Sequence, residues 1–491
     1  MKFGEFPKLA SFGSVAAFRA HLDALGLDMP CDDIVASGAT CVFAAPIEVA
    51  GMKIGNRLAL NPMEGWDGEP DGRPSENTIR RWRRFGASGG KLVWGGEAVA
   101  VRPDGRANPN QLVMSASTQA EIARLREALV EAHREAMGSD EGLVIGLQLT
   151  HSGRFCKPND HKKFEPFVAY RHPLLDRKFG YPDDRPVMSD DEIRRLVEDF
   201  VIAAKRAQEA GFDFVDIKHC HGYLAHEFLS AHTRPGPYGG SLENRTRFLR
   251  EVVAGVRSRA PGLGIGVRLS AADLVPFRPD PARSKPGALG PGIPEDFSSL
   301  LPYVYAFGAA PHNPTEIDLA EPFALFGILR GLDIRFVNVT LASPYYNPHV
   351  TRPALYPPSD GYFPPEDPLV GVMRHLYVVR RLKEAHPDFC LMGSGYTYLQ
   401  EFLPNVAQAV LRLKWTDFVG LGRMLLAYPE LVRDLLEGKP MQKKRLCRSF
   451  SDCTTAPRNG LVSGCYPLDA HYKKSEEFKR LAALKKPAKT A

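Results

Sequence analysis

Asp213-Phe214-Val215-Asp216-Ile217-Lys218-His219-Cys220-His221-Gly222-Tyr223-Leu224 begins as a short apolar strand and ends in a run of groups that give or take protons. A strand that delivers Lys, His and Tyr from its C-terminal end is the arrangement of an α/β-barrel active site, where chemistry sits on the βα loops. Just downstream, Thr233-Arg234-Pro235-Gly236-Pro237-Tyr238-Gly239-Gly240-Ser241 forms a glycine-rich turn. Ser241 is placed to cap a helix over 241–258.

On either side of this unit the chain alternates strands with helices. Short apolar runs predict strands at 58–60, 91–94, 143–148, 264–269, 335–339, 389–392 and 417–419. Helical periodicity fills the gaps at 75–85, 118–136, 316–332 and 369–384. Another helix opens at Ser189-Asp190-Asp191-Glu192, a capping-box sequence. Counting the opening stretch as the fourth strand, eight strand-plus-helix units predict an α/β fold, a (β/α)8 TIM barrel with long loop insertions and a C-terminal extension. A doubly wound sheet is the alternative, but no GxGxxG follows any strand. The expected division is an N-terminal preface at 1–45, the barrel at 46–440 and a cysteine-containing extension at 441–491. In the preface, Ser14 caps a short helix whose Val15, Phe18, Leu22 and Leu25 share one face.

Three stretches break the rhythm. Residues 155–186 are rich in Pro, Lys and Asp, 271–314 in Pro and Gly, and 343–368 in Pro and Tyr. A loop as long as 271–314 without structure of its own is expected to be a lid or disordered. With 343–368 it is expected to close the pocket and set substrate choice.

Composition excludes several classes. An apolar share of 44% over 491 residues is enough to fill a large core. A net charge of +6 is mild for this length and forms no basic stripe, so no nucleic-acid partner is expected. Eight cysteines in such a chain are no disulfide framework and fit a reducing compartment. There is no charged start with an apolar core behind it, and no run near the roughly 20 apolar residues that span a bilayer. The expectation is a cytoplasmic protein with a small-molecule substrate and no membrane partner; a homo-oligomer is left open.

Gly393-Ser394-Gly395 follows the seventh strand, and Gly420-Leu421-Gly422-Arg423 the eighth. In α/β barrels these two loops frequently form a phosphate site through backbone N–H groups and a helix N-terminus. Arg423 would add a charge-assisted hydrogen bond. Other strand ends carry Pro62-Met63-Glu64, Ala98, Gln148 with His151, and Arg268. A Gln or Arg at such a place is either functional or a rim residue held by salt bridges.

These motifs together resemble the old yellow enzyme family of NADH:flavin oxidoreductases, in particular the branch of 2,4-dienoyl-CoA reductase and trimethylamine dehydrogenase. The resemblance rests on Asn56-Arg57 with Pro62-Met63, on 148–154, on His221-Gly222-Tyr223-Leu224 with Glu227-Phe228-Leu229-Ser230, on Tyr238-Gly239-Gly240-Ser241 with Asn244-Arg245, and on Gly422-Arg423. It implies FMN as cofactor and NADH or NADPH as reductant. Pro62, Met63, Glu64, Ala98 and Gln148 would line the flavin ring. Arg268 would stabilise the anionic reduced ring. Gly393, Ser394, Gly395, Gly422 and Arg423 would hold the phosphate.

The family places a His, then a His or Asn three residues on, to bind the substrate carbonyl, with a proton-donating Tyr two residues further. Here the second position is His221 and the Tyr is Tyr223, but the first is Lys218. A lysine could favour a developing enolate, bind a carboxylate, pair with a nearby acid, or merely snorkel from the rim. His219 is expected to point away. Glu64 stands where relatives often carry Thr or Cys.

The reductase branch binds a four-iron four-sulfur cluster through C-x2-C-x3-C-x11-C. Cys453 and Cys465 match its second half, while Leu446 and Ser449 occupy the first two positions and Cys447 is one residue out of register. Four thiolates are the usual requirement, so no cluster and no metal are expected. The chain ends at Ala491, so the expectation is an ene-reductase without the further flavin and nucleotide domains of longer relatives. It would reduce activated C=C bonds with NAD(P)H by ping-pong hydride transfer through Lys218, His221 and Tyr223. The alternatives are an FMN-dependent amine dehydrogenase or demethylase, and a non-catalytic flavin-binding subunit.

Overall fold

In the computed structural model, which describes residues 6–184, 187–285 and 289–485, eight parallel strands close on themselves. They are β1 (Leu58–Leu60), β2 (Leu92–Val93), β3 (Val144–Thr150), β4 (Phe214–Ile217), β5 (Gly264–Ser270), β6 (Phe336–Thr340), β7 (Cys390–Gly393) and β8 (Phe418–Leu421). Each pairs with its neighbours in chain order, and β8 returns to β1 through Val419–Leu58 and Leu421–Leu60. This is the (β/α)8 TIM barrel. Ala98–Ala100 forms a further short strand on β3 above β2, so the second barrel position is one strand interrupted at Gly95-Gly96.

The strands form because they are buried on both faces, which suits near-continuous apolar runs. One end of the barrel is plugged. Trp94, Phe214, Phe336, Met392 and Phe418 pack there under the hairpin Ile47–Val49/Met52–Ile54, with the Trp94 and Phe336 rings 4.4 Å apart. Access is therefore left at the C-terminal ends of the strands.

Helix starts follow the local chemistry. Ser75 with Thr78 and Ser189 with Glu192 form reciprocal capping boxes at Glu76–Gly86 and Asp190–Glu209. Ser14 caps Val15–Ala24, which stacks Phe18 on Phe402 of the barrel. The helix expected over 241–258 is two, Leu242–Arg245 and Arg247–Arg259. Thr246 Oγ1 donates back to the carbonyls of Leu242 and Glu243, a bond that competes with the helix ladder.

The expectation of a structureless 271–314 is corrected. It holds two hairpins, Phe277–Pro279/Gly292–Pro294 and Ala309–Ala310/Asn313–Ile317, and its Val275, Phe277 and Tyr303 pack with Leu174 and Tyr362. The helix expected from 316 starts at Ala320, where Asp318 accepts the Ala320 N–H. Parts of two expected excursions, 185–186 and 286–288, lie outside the described residues. Among the described residues no helix is long and apolar enough to cross a membrane.

Candidate active site

The C-terminal mouth of the barrel is a cleft, and the strand ends converge on it. Pro62, Met63 and Glu64 come from the end of β1, Ala98 from the short strand, and Gln148 from β3. Lys218, His221 and Tyr223 follow β4, Arg268 lies on β5, Ser394 and Gly395 follow β7, and Gly422 and Arg423 follow β8. Of the residues expected at the site, Gly393 alone is not in the lining; Gly420 takes its place beside β8.

Glu64 is the hub of one wall. Its loop is fixed from below: the Gly65 N–H donates to Glu97 at 2.6 Å, and Glu97 is paired with Arg81, itself bonded to Asp67. Glu64 Oε1 accepts from Trp66 Nε1 at 2.8 Å, and Oε2 accepts from the Tyr223 hydroxyl at 3.2 Å. Lys218 Nζ lies 3.7 Å from Oε2 and 3.6 Å from the centroid of the Tyr223 ring. Among the readings open for Lys218, pairing with a nearby acid is realised, and that acid is Glu64. Tyr345, from the excursion after β6, places its hydroxyl 2.9 Å from that of Tyr223.

Burial decides the protonation of this wall. It lowers Lys218 below the ordinary lysine range, while Glu64 pulls the other way. It raises the Tyr223 phenol well above its usual range, with Glu64 adding to the effect, so the hydroxyl stays protonated at neutral pH. It lowers His221 far below the usual imidazole range, reinforced by Arg268 and Lys218. His221 is thus a neutral donor or acceptor, held in a left-handed backbone conformation by Ser270 on its N–H and Ser343 on its carbonyl. His219 faces away, with Nδ1 on the Ile217 carbonyl.

Gln148 donates from Nε2 to Asp216 at 2.6 Å, and Asp216 also accepts the Arg268 N–H. Burial pushes Asp216 up to about 6 against those bonds. The bond orients the Gln148 amide and leaves its oxygen as an acceptor. Arg268 is buried, and its Nε has no partner among the described residues.

The loops carrying Lys218–Tyr223 are strapped to the loop after β3. Arg154 is fully buried between Asp176 and Glu227, with its Nε 2.7 Å from Glu227, and donates to the Tyr170 carbonyl. Glu227 lies on the helix Leu224–Leu229 that begins at Tyr223. The motif residues Arg154 and Glu227 are therefore a strut. Arg154→Ala leaves Glu227 buried without its cation and Asp176 with Arg171 alone, and is expected to cost about 3–5 kcal/mol of stability, read from the denaturant midpoint at unchanged slope.

The far end of the cleft is built for an anion. Gly395 has φ +94°, and a Cβ on Gly420 would lie 2.6 Å from the Gly393 carbonyl, so these turns require glycine. Three arginines face this region. The Arg423 guanidinium makes no hydrogen bond or ion pair among the described residues. Arg352 Nε is buried without a partner, though its guanidinium reaches Thr454. Burial, then Arg423 and Arg458, lowers Arg352 to about 9, the mark of positive charge short of an anion.

Sequence reasoning missed part of this lining. Thr351 and Arg352 lie in the excursion after β6, and Cys453, Thr454, Pro457, Arg458 and Ser463 lie in the extension. Among the described residues, the segment 271–314, expected to close the cleft, contributes no lining residue; 343–368 does. Of the positions relevant to a cluster, Leu446 and Ser449 are buried, and among the described residues no group of three or more His, Cys, Asp or Glu is arranged to hold a metal ion.

Fold and cleft define a parallel barrel with a polar, arginine-bearing cleft at its C-terminal mouth. Residues 42–280 match the model of the NADH:flavin oxidoreductase / NADH oxidase family. Over that stretch the chain is similar to this family. It is 35% identical over 234 residues to an NADPH dehydrogenase of Bacillus subtilis (strain 168), covering 46% of this chain and 63% of that protein. The chain spans less than two thirds of the length of the curated relatives it matches. Among solved structures it is similar to the complex of 2-naphthoyl-CoA reductase with 2-naphthoyl-CoA (TM-score 0.62, 17% identity, 89% of this chain and 58% of that one). It is also similar to the old yellow enzyme homologue from Zymomonas mobilis (TM-score 0.53, 21% identity, 82% and 94%).

The family implies FMN, and the residues present fit it. Unpartnered Arg268, the oriented Gln148 amide, and the arginine-rich glycine turns answer a ring with polar edges and a phosphate.

Proposed function

We propose that the chain is an FMN-dependent oxidoreductase that reduces activated C=C bonds with NAD(P)H. The observation that carries the reading is the convergence of Lys218, His221 and Tyr223 on the cleft whose far end holds the unneutralised Arg352 and Arg423. Pro62, Met63, Ala98, Gln148 and Arg268 would hold the ring, and Ser394, Gly395, Gly420, Gly422, Arg352 and Arg423 the phosphate. FMN, when bound, supplies the hydride chemistry between nicotinamide and alkene.

The protein's own groups do the rest. Lys218 and neutral His221 hold the acceptor oxygen of an unsaturated carbonyl or equivalent, where a cation favours the charge that develops there. Tyr223 gives its proton to the α carbon as hydride arrives at the β carbon, so one hydrogen of each kind adds across the double bond. Trp66 and Tyr345 belong to the same wall, one bonded to Glu64 and the other to Tyr223, and hold both groups in place. The experiment is isotope placement in the product. Reductant deuterated at C4 of the nicotinamide is expected to put deuterium on the β carbon, and D2O to put it on the α carbon. A protein that accepts NAD(P)H electrons yet returns no saturated product from enones, nitroalkenes or enoyl thioesters would contradict the reading.

A pH signature follows. Because burial holds Lys218 below its ordinary 10.5, reoxidation by the alkene is expected to fall as pH rises, with a limb below 10.5. Glu64 raises Lys218, so Glu64→Gln is expected to move that limb to lower pH. The pH profile of the acceptor half-reaction checks both; a limb that Glu64→Gln moves upward contradicts the assignment.

A further inference from the structure

The two positions where this chain departs from the family pattern, Glu64 and Lys218, meet in the cleft. The Lys218 ammonium is 3.7 Å from the Glu64 carboxylate and 3.6 Å from the centroid of the Tyr223 ring, with the lysine side chain 4% exposed. The carboxylate is held from its other oxygen by Trp66, and the Tyr223 ring by Tyr345 at its hydroxyl. A carboxylate beside an aromatic face is how proteins bind organic ammonium ions. The 3.7 Å separation is an ion pair longer than a hydrogen bond. Charge and the π face therefore hold the ammonium, as they would hold a guest.

We propose that the Glu64 carboxylate, braced by Trp66, and the Tyr223 ring form an ammonium-binding cage, that the chain fills it with its own Lys218, and that this internal occupant bars amines and reserves the cleft for neutral or anionic acceptors. A free amine entering the cleft would have to displace a tethered cation whose effective concentration is far higher, or place a second positive charge beside it. The inference deepens the proposed function and rests on the reading of this cleft as the substrate chamber.

If the cage is real, the guest it accepts depends on how much of residue 218 is left. Lys218→Ala removes three carbons and the nitrogen, the length of propylammonium. Lys218→Met keeps a chain that stops one atom short, leaving room for ammonium itself. Calorimetry on the FMN-loaded proteins at constant ionic strength, with propylammonium and ammonium chloride, is the test. The wild type is expected to bind neither measurably. K218A is expected to take propylammonium at least tenfold more tightly than ammonium, and K218M to show the reverse order. Adding Glu64→Gln to either variant is expected to abolish the gain.

Binding no better than wild type in both variants, the same guest order in both, or full retention without the Glu64 carboxylate would overturn the cage. K218M conserves most of the side-chain volume, so if K218A fails to fold, K218M against wild type still decides: ammonium bound more tightly than propylammonium and lost with Glu64→Gln supports the cage, and binding no better than wild type overturns it. Calorimetry reads the guest whether or not an alkene is reduced. A failed cage therefore leaves the reductase reading standing, and a wild type that reduces no alkene leaves the cage standing.

Discussion

Tyr223→Phe is expected to slow reoxidation by an activated alkene by roughly 10²–10⁴-fold, the usual worth of a positioned general acid, while reduction by NAD(P)H is unchanged. The reason is geometric and electrostatic together. The phenol hydroxyl is held between Glu64 Oε2 and the Tyr345 hydroxyl, and its pKa is pushed far up, so it carries its proton at every pH of interest. Phenylalanine keeps the ring that contacts Lys218 and removes only the donor. Rapid-mixing absorbance separates the two half-reactions, and only the second is expected to be slowed. Tyr345→Phe removes a neighbour that hydrogen-bonds the same hydroxyl and is expected to have a smaller effect in the same direction.

Arg352→Ala and Arg423→Ala are each expected to weaken FMN binding by roughly 10–100-fold, and the double variant to be isolated without flavin. A hydrogen bond to a charged group is worth about 1.5–3 kcal/mol, and each guanidinium here lacks a competing carboxylate. Arg352 carries the more specific expectation. Its guanidinium is depressed to about 9 by burial and by Arg423 and Arg458. Arg423→Ala therefore relieves repulsion in the apoprotein, and the apo form is expected to gain stability as the holo form loses it. Flavin titration followed by fluorescence gives the affinity, and thermal unfolding of both forms gives the sign. Equal flavin retention in wild type and double variant would show that the phosphate lies elsewhere.

The barrel is legible in the sequence because each strand is a short apolar run with a polar or glycine end, and helix starts such as Ser189 carry their own capping chemistry. Most of the cleft is legible for the same reason: in a parallel barrel, whatever follows a strand faces the mouth. What escapes the sequence is what reaches the mouth from elsewhere. Arg352 lies well past β6, and Cys453 to Arg458 arrive from the extension by packing across the cleft; Arg458, for example, donates to the Pro344 carbonyl. No local pattern encodes those contacts. The Glu64–Lys218 pair is intermediate. Each residue stands out as unusual alone, but only the closure of β1 next to β8 and the shared mouth bring the two strand ends together. The break at Thr246 and the hairpins within 271–314 are local features set by side-chain back-bonding and tertiary packing, which periodicity does not register.

We propose that this cleft binds FMN and passes reducing equivalents from nicotinamide to an alkene. An anaerobic absorbance spectrum of the purified protein tests it most directly, taken first as isolated, then with NADPH or NADH, then with an enone. Flavin bands near one equivalent per chain are expected, restored by added FMN where they are low, bleached by the nicotinamide and returned by the enone. Protein that neither carries flavin nor takes it up from added FMN would contradict it.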